Sequence, residues 1–355
     1  MRFPTPRGPL SDCLFSVLSG KGRHALSSDA CVVGAPTADP IVDEDLQLSL
    51  WACYQLHYGG FDDVDDRWEW DPAVLTFRAA LEDRFERFLR HQAAQQPVLA
   101  AKDVPEALAD LIATQDGASL SKFVERDATV GQFRELLMHR SLEPLHDPHT
   151  FAIPRLAGRP QAALIEIQIG ELGSGHTADM RAELFRVTMS KLRLNTAPGA
   201  YLRYVPAVTL AVANVLSLFG LHRRLRGALV GQLAVYEMSA ALPNRRFASG
   251  LRRLGGDAAA TRLFDEHAGS DAVRAETAAH ELAARFCDAE PSQAGNVLFG
   301  AAAWLYLDRR FNDHLVGSWS AGRSSLRETG SLRWPAAAPM PATTIANVPA
   351  TTVTR

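Results

Sequence analysis

His267 and Asp271 lie four residues apart, and position 274 lies three further on. At about 100° per residue, these spacings set all three on one stripe of a helix. A histidine and an aspartate one turn apart are a usual way for a helical bundle to offer ligands to iron or manganese, with further carboxylates arriving from facing helices. Glu171 and Glu237 are the obvious carboxylates for that purpose. The third member of the stripe is Arg274, which has no lone pair to give a cation. A His-x3-Asp pair is also what a solvated polar helix face looks like, so by itself it leaves both readings open.

A second motif points to different chemistry. Gly170-Glu-Leu-Gly-Ser-Gly175-His176-Thr177 follows the apolar run Leu164–Ile169 and matches a phosphate-binding loop except that His176 stands where the lysine belongs. That lysine supplies a permanent charge to the β- and γ-phosphates, which an imidazole near neutral pH does not. No alternation of strands and helices follows to build a parallel sheet around the loop. The match is therefore read as a decoy.

The elements that must position these residues are helical. Apolar residues recur at three- and four-residue spacing in Ala80–Arg90, Pro105–Ala113, Thr129–His139, Ala182–Leu192, Thr209–Leu221 and Ala228–Met238, which predicts an all-α protein. Pro206 suits a helix start, and Pro243-Asn244 a stop after Met238. The run Tyr58–Pro72 reads as a structured loop between helices. Residues 1–40, rich in Gly, Pro and Ser, are expected to be poorly ordered, and 328–355, a Pro/Ala/Thr tail, to be disordered. Between them we expect an N-terminal helical extension over 41–125 and a bundle over 126–327.

At 355 residues and 47% hydrophobic content the chain can bury a sizeable core. Its formal charge of −3, from 37 Lys+Arg against 40 Asp+Glu, gives no net basic field to recruit nucleic acid or an anionic membrane. The arginines at 223, 224, 226, 245, 246, 252 and 253 fit helix ends and loops, capping carbonyls or meeting acids. Val205–Leu221 is nearly long enough to span a bilayer, but it contains Asn214 and runs into basic residues, so a buried core helix is expected. Cys13, Cys31, Cys53 and Cys287 are scattered without CxxC spacing, and the N-terminus lacks a signal-peptide pattern. Both features suit a reducing cytoplasm.

From Leu156 onward the chain resembles an actinobacterial branch of the iron-containing redox enzymes, which belong to the heme-oxygenase-like diiron oxidases. The resemblance is carried by Ala163-Leu-Ile-Glu-Ile-Gln168, Leu184-Phe185, Ser217 through Gly231, Leu251-Arg-Arg-Leu-Gly255, Phe264-Asp-Glu-His267 and Asp271-Ala-Val273. It extends more loosely to Asp147-Pro-His-Thr150 and the Leu46–Trp70 region. It implies a heme-oxygenase-like helical bundle, non-heme iron, and O2 chemistry on a small organic or amino-acid-derived substrate; heme binding is not implied. It also implies a ligand set, of which Glu171, Glu237, His267 and Asp271 are retained. The first carboxylate position becomes Leu145, the histidine ten residues beyond Glu171 becomes Arg181, and the final histidine becomes Arg274.

Leucine has no donor atom, and a guanidinium stays protonated, so two irons cannot be held in the family's usual way. His280, nine residues past Asp271, points to the opposite side of an ideal helix; His176 reaches inward only if the glycines around it unwind the chain. The expectation is that Arg181 and Arg274 occupy the space of the metals and pair with Glu171, Glu237 and Asp271, because buried charges must be paired. Two readings follow: a metal-free, non-catalytic member, or an oxidoreductase with one iron on the four retained ligands and a small-molecule substrate. A metal-independent enzyme finds no support in a Gly-x-Ser-x-Gly elbow or a Cys/His pairing. Oligomeric state is not legible.

Overall fold

A computed structural model describes residues 1–20, 26, 39–93, 100–117, 119–143 and 147–327, apart from the side chains of 270–272. Cys31, Leu145 and the tail from 328 lie outside the described residues. Within them the chain is all-α: α1 (Pro9–Leu18), α2 (Glu44–Gln55), α3 (Pro72–Gln92), α4 (Val104–Ala113), α5 (Leu120–Arg126), α6 (Val130–Arg140), α7 (Gly158–Glu171), α8 (Arg181–Lys191), α9 (Ala207–Leu221), α10 (Arg226–Ser239), α11 (Ala241–Arg253), α12 (Ala258–Glu276), α13 (Arg285–Ala289) and α14 (Ala294–Ser320). Every helical pattern read from the sequence falls on one of these. Tyr58–Pro72 joins α2 to α3 through a short 3-10 turn, Asp66–Trp70. A π-helical segment, Thr277–Ala284, continues α12 toward α13.

Local chemistry sets several boundaries. Asp71 accepts from the amides of Ala73 and Val74 while Pro72 fills the first helical position of α3. Thr129 and Gln132 form a reciprocal capping box on α6, and Asp257 caps α12. The helix stop expected after Met238 is present. The helix ends at Ser239, and Pro243 sits in the first turn of α11, where its missing amide has no carbonyl to lose.

The expectation of a poorly ordered 1–40 fails over Pro9–Leu18. Pro9 opens α1, Asp45 of α2 accepts from the amides of Leu10 and Ser11, and Leu14, Phe15 and Leu18 enter the core. Gly and Pro content hid a helix whose first-turn donors are satisfied from another element. One continuous apolar core runs from α1 through α14, so residues 41–125 and the bundle share it. Asn214, conspicuous in α9, bonds the backbone and side-chain oxygens of Gln47 at 2.8 Å each. Among the described residues no helix is long and apolar enough to cross a membrane.

α10 is the central helix, buried along most of its length and packed on α9, α12, α14 and the π segment. Its approach to α14 is close enough that a Cβ on Gly231 would overlap the carbonyl of Val297, and one on Gly300 the carbonyl of Ala228. The basic residues near helix ends are engaged: Arg224 with Glu86, Arg226 with Glu290, and Arg253 with the carbonyls of Val124 and Glu125 in the last turn of α5 and of Ala128 just beyond it.

A buried polar latch holds the segment after α14. Glu135 accepts from Trp319 Nε1 at 2.8 Å, Ser324 Oγ at 2.7 Å, and Ser325 N and Oγ at 2.9 and 2.7 Å. Since Ser325 donates its single proton to Glu135, His139 donates from Nε2 to Ser325 (3.0 Å) and accepts at Nδ1 from Thr209 (2.7 Å). Burial, reinforced by His314, pulls this imidazole down to about 3. Below about pH 6.5 the unfolded chain binds a proton that the folded one refuses. Its stabilisation is therefore intact above that pH and lost at about 1.4 kcal/mol per unit as pH falls. Urea unfolding at pH 7 and pH 5 is expected to show a difference about 2 kcal/mol smaller in His139→Gln than in wild type. Equal differences would remove His139 from the acid response.

Candidate functional site

Glu171 ends α7, Arg181 begins α8, Glu237 lies near the end of α10, and His267, Asp271 and Arg274 lie on α12. The α7 to α8 connection leaves the helix through Gly173 and Ser174, both at positive φ, so the unwinding foreseen around His176 does occur. It turns His176 outward, and the side chain is exposed. His280 is likewise about half exposed, beside Glu276. Neither histidine joins the site.

The structure brings both arginines onto one carboxylate. Arg274 Nη1 donates to Glu171 Oε1 at 2.8 Å, and Arg181 Nη1 donates to Oε2 at 3.2 Å. The Arg274 guanidinium packs against Gly170, where an added Cβ would meet its Nη2. Glu171 is mostly buried; burial alone would raise its pKa, but Arg181, His267 and Arg274 outweigh it and hold the carboxyl well below the usual range. Such charge-assisted bonds are the strong class of ion pair. Of the expected pairings of Arg181 and Arg274 with Glu171, Glu237 and Asp271, both arginines are found on Glu171, and among the described residues Glu237 forms no ion pair. It sits in α10 where burial, and then the Glu171 charge, push it up to about 7 against the pull of Arg274 and Arg181. The Asp271 side chain lies outside the described residues, as does Leu145.

His267 is buried, and its Nδ1 lies 3.0 Å from the carbonyl of Leu263, to which it donates. Its Nε2 has no hydrogen-bond partner and faces Glu171 Oε1 at 3.4 Å, too long for a bond but close enough to attract if the ring is charged.

Sequence reasoning missed the partners on α6 and α10. Arg140 Nε donates to Glu143 Oε1 at 2.9 Å, and Glu143 Oε2 lies 3.7 Å from Arg181 Nη2, so charges alternate from Arg140 through Glu143, Arg181 and Glu171 to Arg274. The Arg181 guanidinium sits 5.6 Å from the centre of the Tyr236 ring. Glu143 precedes Leu145 by two residues, and no periodic pattern marks it. Behind the ladder, His149 bridges Asp147 (2.6 Å) and Gln232 (2.7 Å), and Gln168 donates to the second oxygen of Asp147 at 2.8 Å. Burial disfavours a charge on His149, yet the Asp147 carboxylate reverses this and raises it. The Asp-Pro-His-Thr stretch is thus tied to both α7 and α10.

The space beside Arg140, Glu143, Arg181 and His267 is about 10 Å³, room for about one water. Among the described residues, no three His, Cys, Asp or Glu side chains converge as a metal site would require. The converging lone pairs are those of His267 Nε2 and Glu171 Oε1, and Glu171 already accepts a guanidinium on each oxygen. The described residues do not fit a pair of irons.

Residues 134–309 match the model of a family described as iron-containing redox enzyme, a span holding Glu143, Glu171, Arg181, Glu237, His267 and Arg274. No curated protein matches the chain.

Proposed function

Because the chain belongs to the iron-containing redox enzyme family, we propose that it is a metal-free, non-catalytic member in which guanidinium groups have taken the place of iron. The observation that carries this reading is the pairing of Arg274 and Arg181 with the two oxygens of Glu171, the carboxylate of the retained set with the strongest claim on a cation. A divalent ion placed there would meet two fixed positive charges in a mostly buried setting, and a low-dielectric interior resists such an excess. The one-water space beside His267 leaves no volume for a small organic substrate as the side chains stand. The unbridged thiols of Cys53 and Cys287 suit a reducing compartment.

A second reading draws on the orphaned Nε2 of His267: a single ferrous ion held by Glu171, Glu237, His267 and Asp271 would give that atom a partner. Anaerobic ferrous titration with metal analysis after desalting separates the two. The wild-type chain is expected to retain no iron, and Leu145→Glu/Arg181→His/Arg274→His to retain some. Near-unit iron in the wild type, lost in His267→Ala, would overturn the metal-free reading.

A further inference from the structure

Arg134 of α6 is 7% exposed, and among the described residues no other lysine or arginine is so deeply buried. Its Nε donates to the carbonyl of Leu192 at 3.0 Å, at the C-terminal cap of α8. That bond uses one of the five guanidinium donors. The Nη atoms make no hydrogen bond or ion pair among the described residues, yet they are not sealed in, so the outer edge of the group reaches water. A deeply buried cation ordinarily has an acid beside it. Arg78, Arg140, Arg181 and Arg274, all less buried, each have one.

Arg193 directly follows Leu192, so the Leu192 bond sets Arg134 beside a second guanidinium. Burial, and then the Arg193 charge, disfavour the Arg134 cation. Arg193 holds φ at +58°; its amide donates to Ser190 at 2.9 Å and that of Leu194 to Met189 at 3.0 Å, closing α8 as a Schellman turn. Glycine usually fills that position, because a Cβ is strained there. Here it carries an arginine, exposed and without an ion pair among the described residues. Lys191, in the same turn, is paired with Asp257 at 2.7 Å. The helix end itself offers only about half a negative charge against two guanidinium groups.

We propose that Arg134 and Arg193 form a binding site for a phosphate group at the end of α8. A phosphate dianion balances the two charges, and its oxygens match the planar donor fork of a guanidinium. Arg193, exposed, meets the ligand first, and Arg134, fixed by its bond to Leu192, supplies the inner donors. A free phosphate ion and a phosphomonoester share this chemistry. The site is separate from the ladder on Glu171: Arg181 opens α8 and Arg193 follows its other end, about 16 Å away along the helix. It therefore holds whether or not that ladder binds metal.

Isothermal titration at about pH 8 and constant ionic strength tests the site with inorganic phosphate, phenyl phosphate and acetate, on wild type, Arg134→Gln and Arg193→Gly. The wild type is expected to bind one phosphate group per chain and to bind acetate at least tenfold more weakly. Binding of inorganic phosphate alone identifies the free ion as the ligand, and binding of phenyl phosphate a monoester. Each variant is expected to weaken phosphate binding at least tenfold. Arg193→Gly also separates ligand from fold: glycine relieves the positive φ, so this variant should melt no lower than wild type in chloride while losing the phosphate response. If Arg134→Gln fails to fold, Arg193→Gly decides. A wild type that binds neither phosphate, acetate bound as tightly as phosphate, or phosphate binding that Arg193→Gly leaves intact overturns the proposal.

Discussion

Arg274→Ala is expected to destabilise the fold by about 3 kcal/mol, the low end of what removing one partner of a buried ion pair costs. The change deletes a 2.8 Å bond to Glu171 Oε1 and leaves that carboxylate with Arg181 on one oxygen and only the His267 Nε2, at 3.4 Å, facing the other. Part of the loss is the desolvation of a charge that no longer has its partner, so the same substitution in a Glu171→Gln background should cost much less. The coupling from the double-mutant cycle, measured by urea unfolding at neutral pH, is expected at about 2 kcal/mol in favour of the pair. A coupling near zero would mean that Arg274 serves only as packing on Gly170, and the replacement of metal by guanidinium would lose its energetic basis.

The larger effect lies at the helix crossing that supports the site. Gly231→Ala and Gly300→Ala each place a methyl group into a main-chain carbonyl of the facing helix. Neither obstacle is the flexible end of a side chain, so α10 and α14 must separate, and the cost is expected to exceed the roughly 1–3 kcal/mol of ordinary overpacking. Gly295→Ala and Gly317→Ala on α14 are the controls, because both positions face open space. There alanine should stabilise by up to about 1 kcal/mol through helix propensity alone. Thermal melts of the four variants test this: near-native melting of Gly231→Ala would show that the two helices are not held at the distance the structure gives. Tyr236 and Glu237 follow Gly231 on α10, so a shifted α10 also moves the carboxyl that burial holds at about 7.

The helices and the family were legible in the sequence because both depend on local order. A three- and four-residue apolar repeat states which face of a helix is buried, and α3, α4, α6, α8, α9 and α10 all follow it. The stripe His267, Asp271, Arg274 could be written down from the same arithmetic, and so could the absence of donor atoms at Arg181 and Arg274. α1 was missed because its first-turn donors are answered by Asp45, more than thirty residues away in the chain. The stop after Met238 was legible, but not that Pro243 would fall in the first turn of a new helix, a place proline tolerates.

What only the tertiary structure decided is who meets whom. Both arginines converge on Glu171, while Glu237 has no ion pair among the described residues and burial dominates its pKa. Glu143 joins the ladder through the turn after α6. His176 points outward although its loop unwinds as expected. Periodicity fixes the direction of a side chain relative to its own helix axis. The angle and distance at which two helices cross, which settle pairing, burial and exposure, arise from contacts between residues far apart in the chain, such as those of Gly231 and Gly300 with the facing backbone.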